Sequence, residues 1–168
     1  MSYLTPDFYY DSVFQIPYDE LWKKNIRGLI FDIDNTLTHF DEKAPSAKIA
    51  GLLRRLERKG FRICLCTNNT NTRLGDFNEK LSLPGIANAI KPFARGLHYA
   101  METMGTKPSE TAIIGDQLLS DIWAGKNAKI TTIMVKPISD KDFLFVRFKR
   151  IIERRLLREF FRARRPDT

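Results

Sequence analysis

The chain has 168 residues, 43% of them hydrophobic, with 12 Phe, 9 Gly and 8 Pro. That is enough for one core burying about two-thirds of the unfolded surface, and it excludes a largely disordered or collagen-like polymer. The net charge is +8, but residues 143–168 hold nine Arg or Lys against Glu153, Glu159 and Asp167, so the basicity belongs to the C-terminus and the rest is nearly neutral.

The opening MSYLTPDFYYDSVF lacks a basic segment followed by an apolar one, and no stretch reaches the roughly 18 apolar residues of a spanning helix. A cytoplasmic chain is therefore expected, neither secreted nor transmembrane. No repeat, low-complexity tract or linker interrupts it, so 1–168 reads as one domain. GLIFDI (28–33) is apolar throughout, as in a central parallel strand buried on both faces. A helix follows, with Ser46 as its cap, Ile49, Leu52, Leu53 and Leu56 on one face, and Gly60 as its terminator. FRICLC (61–66) is a second strand. Its Cys64 and Cys66 point to the same side and cannot bridge each other without strain, so buried thiols of a reducing compartment are expected.

From about Thr70 to Lys80 the pattern predicts a helix, then a short strand IANAI (86–90), then a helix opened by Pro92. TAIIG (111–115) reads as a strand, Ser120 to about Asn127 as a helix, and KITTIMV (129–135) as a β-branched strand. Five strands alternating with helices predict an α/β fold with a mostly parallel sheet, whose ligands bind at the carboxyl ends of the strands.

Four of those ends carry chemistry: Asp32 with Asp34, then Thr67, then Lys91, then Asp116 with Asp121. Singly, each has an ordinary structural explanation as a turn residue, a helix cap, a first-turn acid or a solvated lysine. Together they form the set that phosphoryl transfer requires: a nucleophile, a proton donor, oxygen ligands for a hard cation and groups for the equatorial oxygens. Asp32 and Asp116 can supply ligands to Mg²⁺. Thr67 and the amides after it, beginning with Asn68, can bind phosphate oxygens at a helix N-terminus, and Lys91 can offset the negative charge.

FDIDNTL, the CTNN that ends the second strand, Lys91-Pro92 and GDQLLSD resemble, in order, the four motifs of the haloacid dehalogenase (HAD) superfamily, and together with the basic tail they resemble its YqeG family of phosphatases. The resemblance implies a Rossmann-like fold with strand order 5-4-1-2-3. It implies that Asp32 attacks phosphorus to form an aspartyl-phosphate while Asp34 protonates the leaving oxygen and then activates water. It further implies that Thr67 and Lys91 bind the phosphoryl group, that Asp116 binds Mg²⁺ beside Asp32 and the Asp34 carbonyl, and that Asp121 supports Lys91 or a metal-bound water.

Members of this superfamily usually select substrates with an inserted cap. Here the spacing between Leu37 and the Ser46 helix, and between Thr67 and Lys91, leaves no room for a large one. An open site suits a bulky or membrane-presented phosphate. The segment 143–165 has Phe145, Phe148, Ile152, Leu156 and Phe160 at helical spacing with Arg147, Arg154, Arg158 and Arg162 interleaved, which predicts a basic amphipathic helix. Such a helix either packs on the core or binds anionic lipid peripherally, with nucleic acid, a ribosomal particle or a protein as further partners. The fourth motif resembles that of phosphatidylglycerophosphate phosphatases, although Ile33 stands where that group carries a basic residue. Phosphatidylglycerophosphate is therefore the leading substrate and a soluble phosphometabolite the alternative. The oligomeric state is left open.

Overall fold

The computed structural model describes residues 4–139 and 157–158. Among these described residues six parallel strands form one sheet: β1 (Phe8–Tyr10), β2 (Gly28–Phe31), β3 (Arg62–Cys66), β4 (Gly85–Ile86), β5 (Thr111–Gly115) and β6 (Thr131–Val135), in the order β1-β6-β5-β2-β3-β4. The last five keep the expected 5-4-1-2-3 arrangement. β1, which has no apolar run to announce it, adds a sixth strand beside β6, pairing Phe8 with Ile133 and Tyr10 with Val135.

Within residues 4–139 the α-helices are α1 (Tyr18–Lys23), α2 (Ala47–Lys59), α3 (Asn71–Asn78), α4 (Arg95–Met104) and α5 (Trp123–Asn127). α2 begins and ends where its caps dictate: Ser46 Oγ accepts from the Ile49 amide, and Gly60 takes a left-handed φ of 106°. Thr70 caps α3 through the amide of Arg73.

Strand alternation divides the core. Leu29, Phe31, Ile63, Leu65, Ala112 and Ile114 face α2, where Ile49, Leu52, Leu53 and Leu56 meet them. Ile30, Cys64, Cys66 and Ile113 face the other way, toward Leu97, Ala100 and Met101 of α4 and Ala124 of α5. Each fully buried Leu, Ile or Phe contributes about 1.5–3 kcal/mol of transfer free energy. The cysteines are free and buried, as expected, and burial pushes the Cys66 thiol up to about 11.

Several boundaries differ from the sequence pattern for local reasons. The strand expected over 86–90 ends at Ile86, because the Asn88 amide turns away to donate to Asn69 O at 2.9 Å. α4 starts at Arg95 rather than Pro92, whose carbonyl instead accepts from Asn127 Nδ2 at 2.9 Å. β6 starts at Thr131, since the Ile130 amide closes the preceding helix on Gly125 O at 3.0 Å. The helix expected from Ser120 opens as a wide π-helical turn, Leu118–Ile122, with the amides of Asp121 and Ile122 both directed at Gln117 O.

Residues 32–46 join β2 to α2, and residues 67–94 hold only α3 and β4, so neither insertion point carries a large cap. The expected basic helix over 143–165 lies outside the described residues except for Leu157 and Arg158, which are helical. Leu157 is half-buried against Leu118, Ile122 and Met134. Among the described residues, no helix is long and apolar enough to cross a membrane.

Candidate active site

The sheet register brings the motif residues together. Phe31 lies beside both Leu65 and Ile114, so the residues just beyond these strands emerge at a single edge. There a pocket of about 300 Å³ is lined by Asp32, Asp34, Thr67, Asn68, Lys91 and Ser120, among others. Asp116 and Asp121 are buried and do not line it.

Lys91 is the hub. Its ammonium donates to Asp32 Oδ1 at 2.7 Å, to Asp121 Oδ1 at 2.6 Å and to the Cys66 carbonyl at 2.9 Å, one acceptor for each of its three protons. Burial alone would depress its proton affinity, but the charges of Asp121 and Asp32 outweigh that and push it up, so it stays an ammonium. Asp121 is fixed from its other oxygen, which accepts from the Gln117 amide at 3.1 Å. The Asn68 side chain imitates a strand partner, accepting from Lys91 N at 2.7 Å and donating to Lys91 O at 3.1 Å. It is thereby committed to holding the lysine, which leaves its backbone amide for any phosphate contact.

Asp32 is shifted up to about 7, foremost by burial and then by the charges of Asp121 and Asp34, against the opposing pull of Lys91. Thr36 Oγ1 lies 3.3 Å from Asp32 Oδ2 and 3.2 Å from Asp116 Oδ1, and its one proton can serve only one of them at a time. Asp32, Asp116 and Asp121 each place an oxygen within 4.8 Å of the others'. One lysine against three such carboxylates leaves negative charge in a buried place, and an all-oxygen donor set of this kind fits a hard dication. The carboxylate of Asp34 stands apart from that cluster, so its expected part in metal binding rests on the backbone carbonyl.

Asp34 has its own partners, neither singled out from the sequence. Arg73 Nε donates to Asp34 Oδ1 at 2.9 Å, and Nη2 lies 2.8 Å from the same oxygen as an ion pair without hydrogen-bond alignment. Asn69 Nδ2 reaches Oδ2 at 3.3 Å. Thr67 Oγ1 accepts from the Asn69 amide at 3.0 Å, which braces the turn between β3 and α3.

Residues 40–129, which begin beyond the Asp32–Asp34 pair, match the model of the haloacid dehalogenase-like hydrolases. The chain is 32% identical to "Probable phosphatase YqeG" of Bacillus subtilis over 93% of its own length and 91% of that protein's. It is 26% identical, over 61% of its length and 45% of the relative's, to a glyceraldehyde 3-phosphate phosphatase of Pyrococcus furiosus. A 3-deoxy-D-manno-octulosonate 8-phosphate phosphatase from Moraxella catarrhalis, solved with magnesium ion, phosphate ion and KDO, shares the fold at a TM-score of 0.51 and 19% identity, over 71% of this chain and 83% of that one. With a family match spanning more than half of the chain and a relative aligned along nearly all of it, the protein belongs to the haloacid dehalogenase-like hydrolases, as a phosphatase of the YqeG group.

Proposed function

We propose that the protein hydrolyses phosphomonoesters through an aspartyl-phosphate on Asp32, with Mg²⁺ held by Asp32, Asp116 and the Asp34 carbonyl. The observation that carries this reading is the saturated Lys91 ammonium, which ties Asp32 to Asp121 in one buried network at the floor of the pocket that Asp34 also lines. In the first half-reaction an Asp32 oxygen attacks phosphorus, the bond to the leaving oxygen breaks, and the proton of Asp34 passes to that oxygen. In the second, water attacks the aspartyl-phosphate, its proton goes to the Asp34 carboxylate, and the Asp32 carboxylate departs. The Thr67 hydroxyl and the Asn68 amide bind the phosphoryl oxygens, and the charge of Lys91 offsets theirs. The cation, when bound, supplies charge stabilisation for the transferring phosphoryl group. The carboxylate cluster and the magnesium-bound Moraxella phosphatase support Mg²⁺ as that ion.

For the substrate we favour phosphatidylglycerophosphate, met at the surface of a membrane by a cytoplasmic, peripherally bound enzyme. Two features support it: the site has no large cap, and Leu157, from the basic stretch of the sequence, packs against Leu118 and Ile122 of the turn that carries Asp121, with Arg158 exposed. The second reading is a soluble sugar or triose phosphate, favoured by the partial likeness to the glyceraldehyde 3-phosphate phosphatase. A panel of phosphomonoesters assayed with Mg²⁺ separates them. Phosphatidylglycerophosphate in anionic vesicles is expected to give the highest kcat/KM, and Asp32→Asn to abolish turnover on every ester. A higher kcat/KM on triose phosphate reverses the substrate assignment, and absence of turnover across the panel ends the phosphatase mechanism.

A further inference from the structure

Arg73 breaks a local rule. It is the third residue of α3, its amide donating to the Thr70 cap at 3.2 Å, so its cation sits in the first turn, where the helix dipole favours anions. The side chain is nevertheless nearly buried, 12% exposed: Nε donates to Asp34 Oδ1, Nη1 donates to Lys43 O at 3.1 Å, and Nη2 meets Asp34 Oδ1 as an ion pair without an aligned hydrogen bond. Its guanidinium carbon also lies 5.9 Å from the centre of the Phe77 ring. A sequence that places a cation against a dipole and then buries it does so where the pairing has a use.

We propose that Arg73 is the positioning residue for proton transfer by Asp34. This rests on the phosphatase mechanism above. By fixing Oδ1, Arg73 leaves Oδ2, whose contact to Asn69 is the longer one at 3.3 Å, as the oxygen that hands its proton to the leaving group while the bond to phosphorus breaks. The same guanidinium faces the carboxylate that remains and stabilises it as the charge develops. Direct phosphate binding by Arg73 is the competing role, and the placement argues against it, because Asp34 lines the pocket and Arg73 does not. Arg73 stands behind the acid rather than beside the substrate.

The test uses leaving groups that differ in their need for a proton. 2,4-Dinitrophenolate departs unaided, whereas an alkoxide does not, and kcat/KM reports on binding and phosphorylation without the later hydrolysis of the intermediate. Arg73→Ala is expected to lower kcat/KM for an alkyl phosphate by about tenfold or more, within the range general acids contribute, and for 2,4-dinitrophenyl phosphate by less than about twofold. Added guanidinium ion is expected to restore part of the alkyl phosphate activity. In an Asp34→Ala background, removing Arg73 as well is expected to cost nothing more, the non-additivity of two groups acting as one. An equal loss on both esters, a rise in KM common to both, or a full further loss in the Asp34→Ala background overturns the proposal. A wild-type enzyme inactive on both esters overturns the mechanism on which it rests, and that control tells the two failures apart.

Discussion

Gly115 is the residue on which the site's geometry depends most narrowly. It precedes Asp116 at the end of β5, and a Cβ there would overlap the carboxyl group of Asp121, the acid that holds Lys91. Gly115→Ala must therefore displace Asp121, and with it the ammonium aligned on Asp32. The expected outcome is at least a tenfold fall in kcat/KM, with a stability cost of about 1–3 kcal/mol for the overpacking; phosphate release and a denaturant melt measure the two. An alanine variant of full activity would show that Asp121 can move without consequence. Asp32, Thr67, Lys91 and Asp116 were legible because each is a distinctive side chain at the end of an expected strand, with Asp34 and Asp121 close behind. The third partner of Lys91 was not, because the Cys66 carbonyl is an atom that every residue has. Arg73 escaped notice for a different reason: its partner Asp34 lies 39 residues away, and a cation in the first turn of a helix looks like an unfavourable accident until the pairing is seen.

Among the elements, α2 was readable to the residue, since Ser46, the apolar stripe and Gly60 act locally. β1 was not, because its three residues become a strand only by pairing with β6, far along the chain. The clasp is Asp7. Its Oδ2 accepts from the amide and hydroxyl of Thr132, both at 2.8 Å, and its Oδ1 from Lys126 at 2.6 Å. Partial burial would raise the Asp7 carboxyl, but Lys126 and Thr132 together outweigh it and hold the group below its ordinary value. A carboxyl so lowered stabilises the fold fully above the unfolded value of about 4, and the contribution is lost as pH falls through it toward the folded value. Asp7→Asn is thus expected to cost about 1 kcal/mol at neutral pH, a figure discounted for its half-exposed setting, and the gap should narrow below about pH 4. Thermal melts of both proteins across that range measure it; a gap independent of pH would mean that the carboxylate charge contributes nothing.

At the scale of the molecule, an excess of buried negative charge is set into one end of an otherwise well-packed α/β sandwich. Any cation that binds there binds the folded chain alone, so Mg²⁺ at a hundred times its Kd should stabilise by about 2.7 kcal/mol, roughly 5–10 °C in Tm for a chain of this size. Asp116→Asn is expected to lose most of that response while melting no lower than wild type in chelator, because one of the three crowded carboxylates has gone. A response that survives the substitution would place the ion elsewhere.

The strand order also governs how the chain can be made. β2, which ends just before Asp32, takes its neighbour β5 from the far side of two intervening strands, and Thr36 meets Asp116 across 80 residues of sequence. β1 waits longer still, for a partner 125 residues on. During synthesis β1 therefore emerges before β2 yet finds its place later, and Asp32 lacks the company of Asp116 until about half of these residues have followed it out.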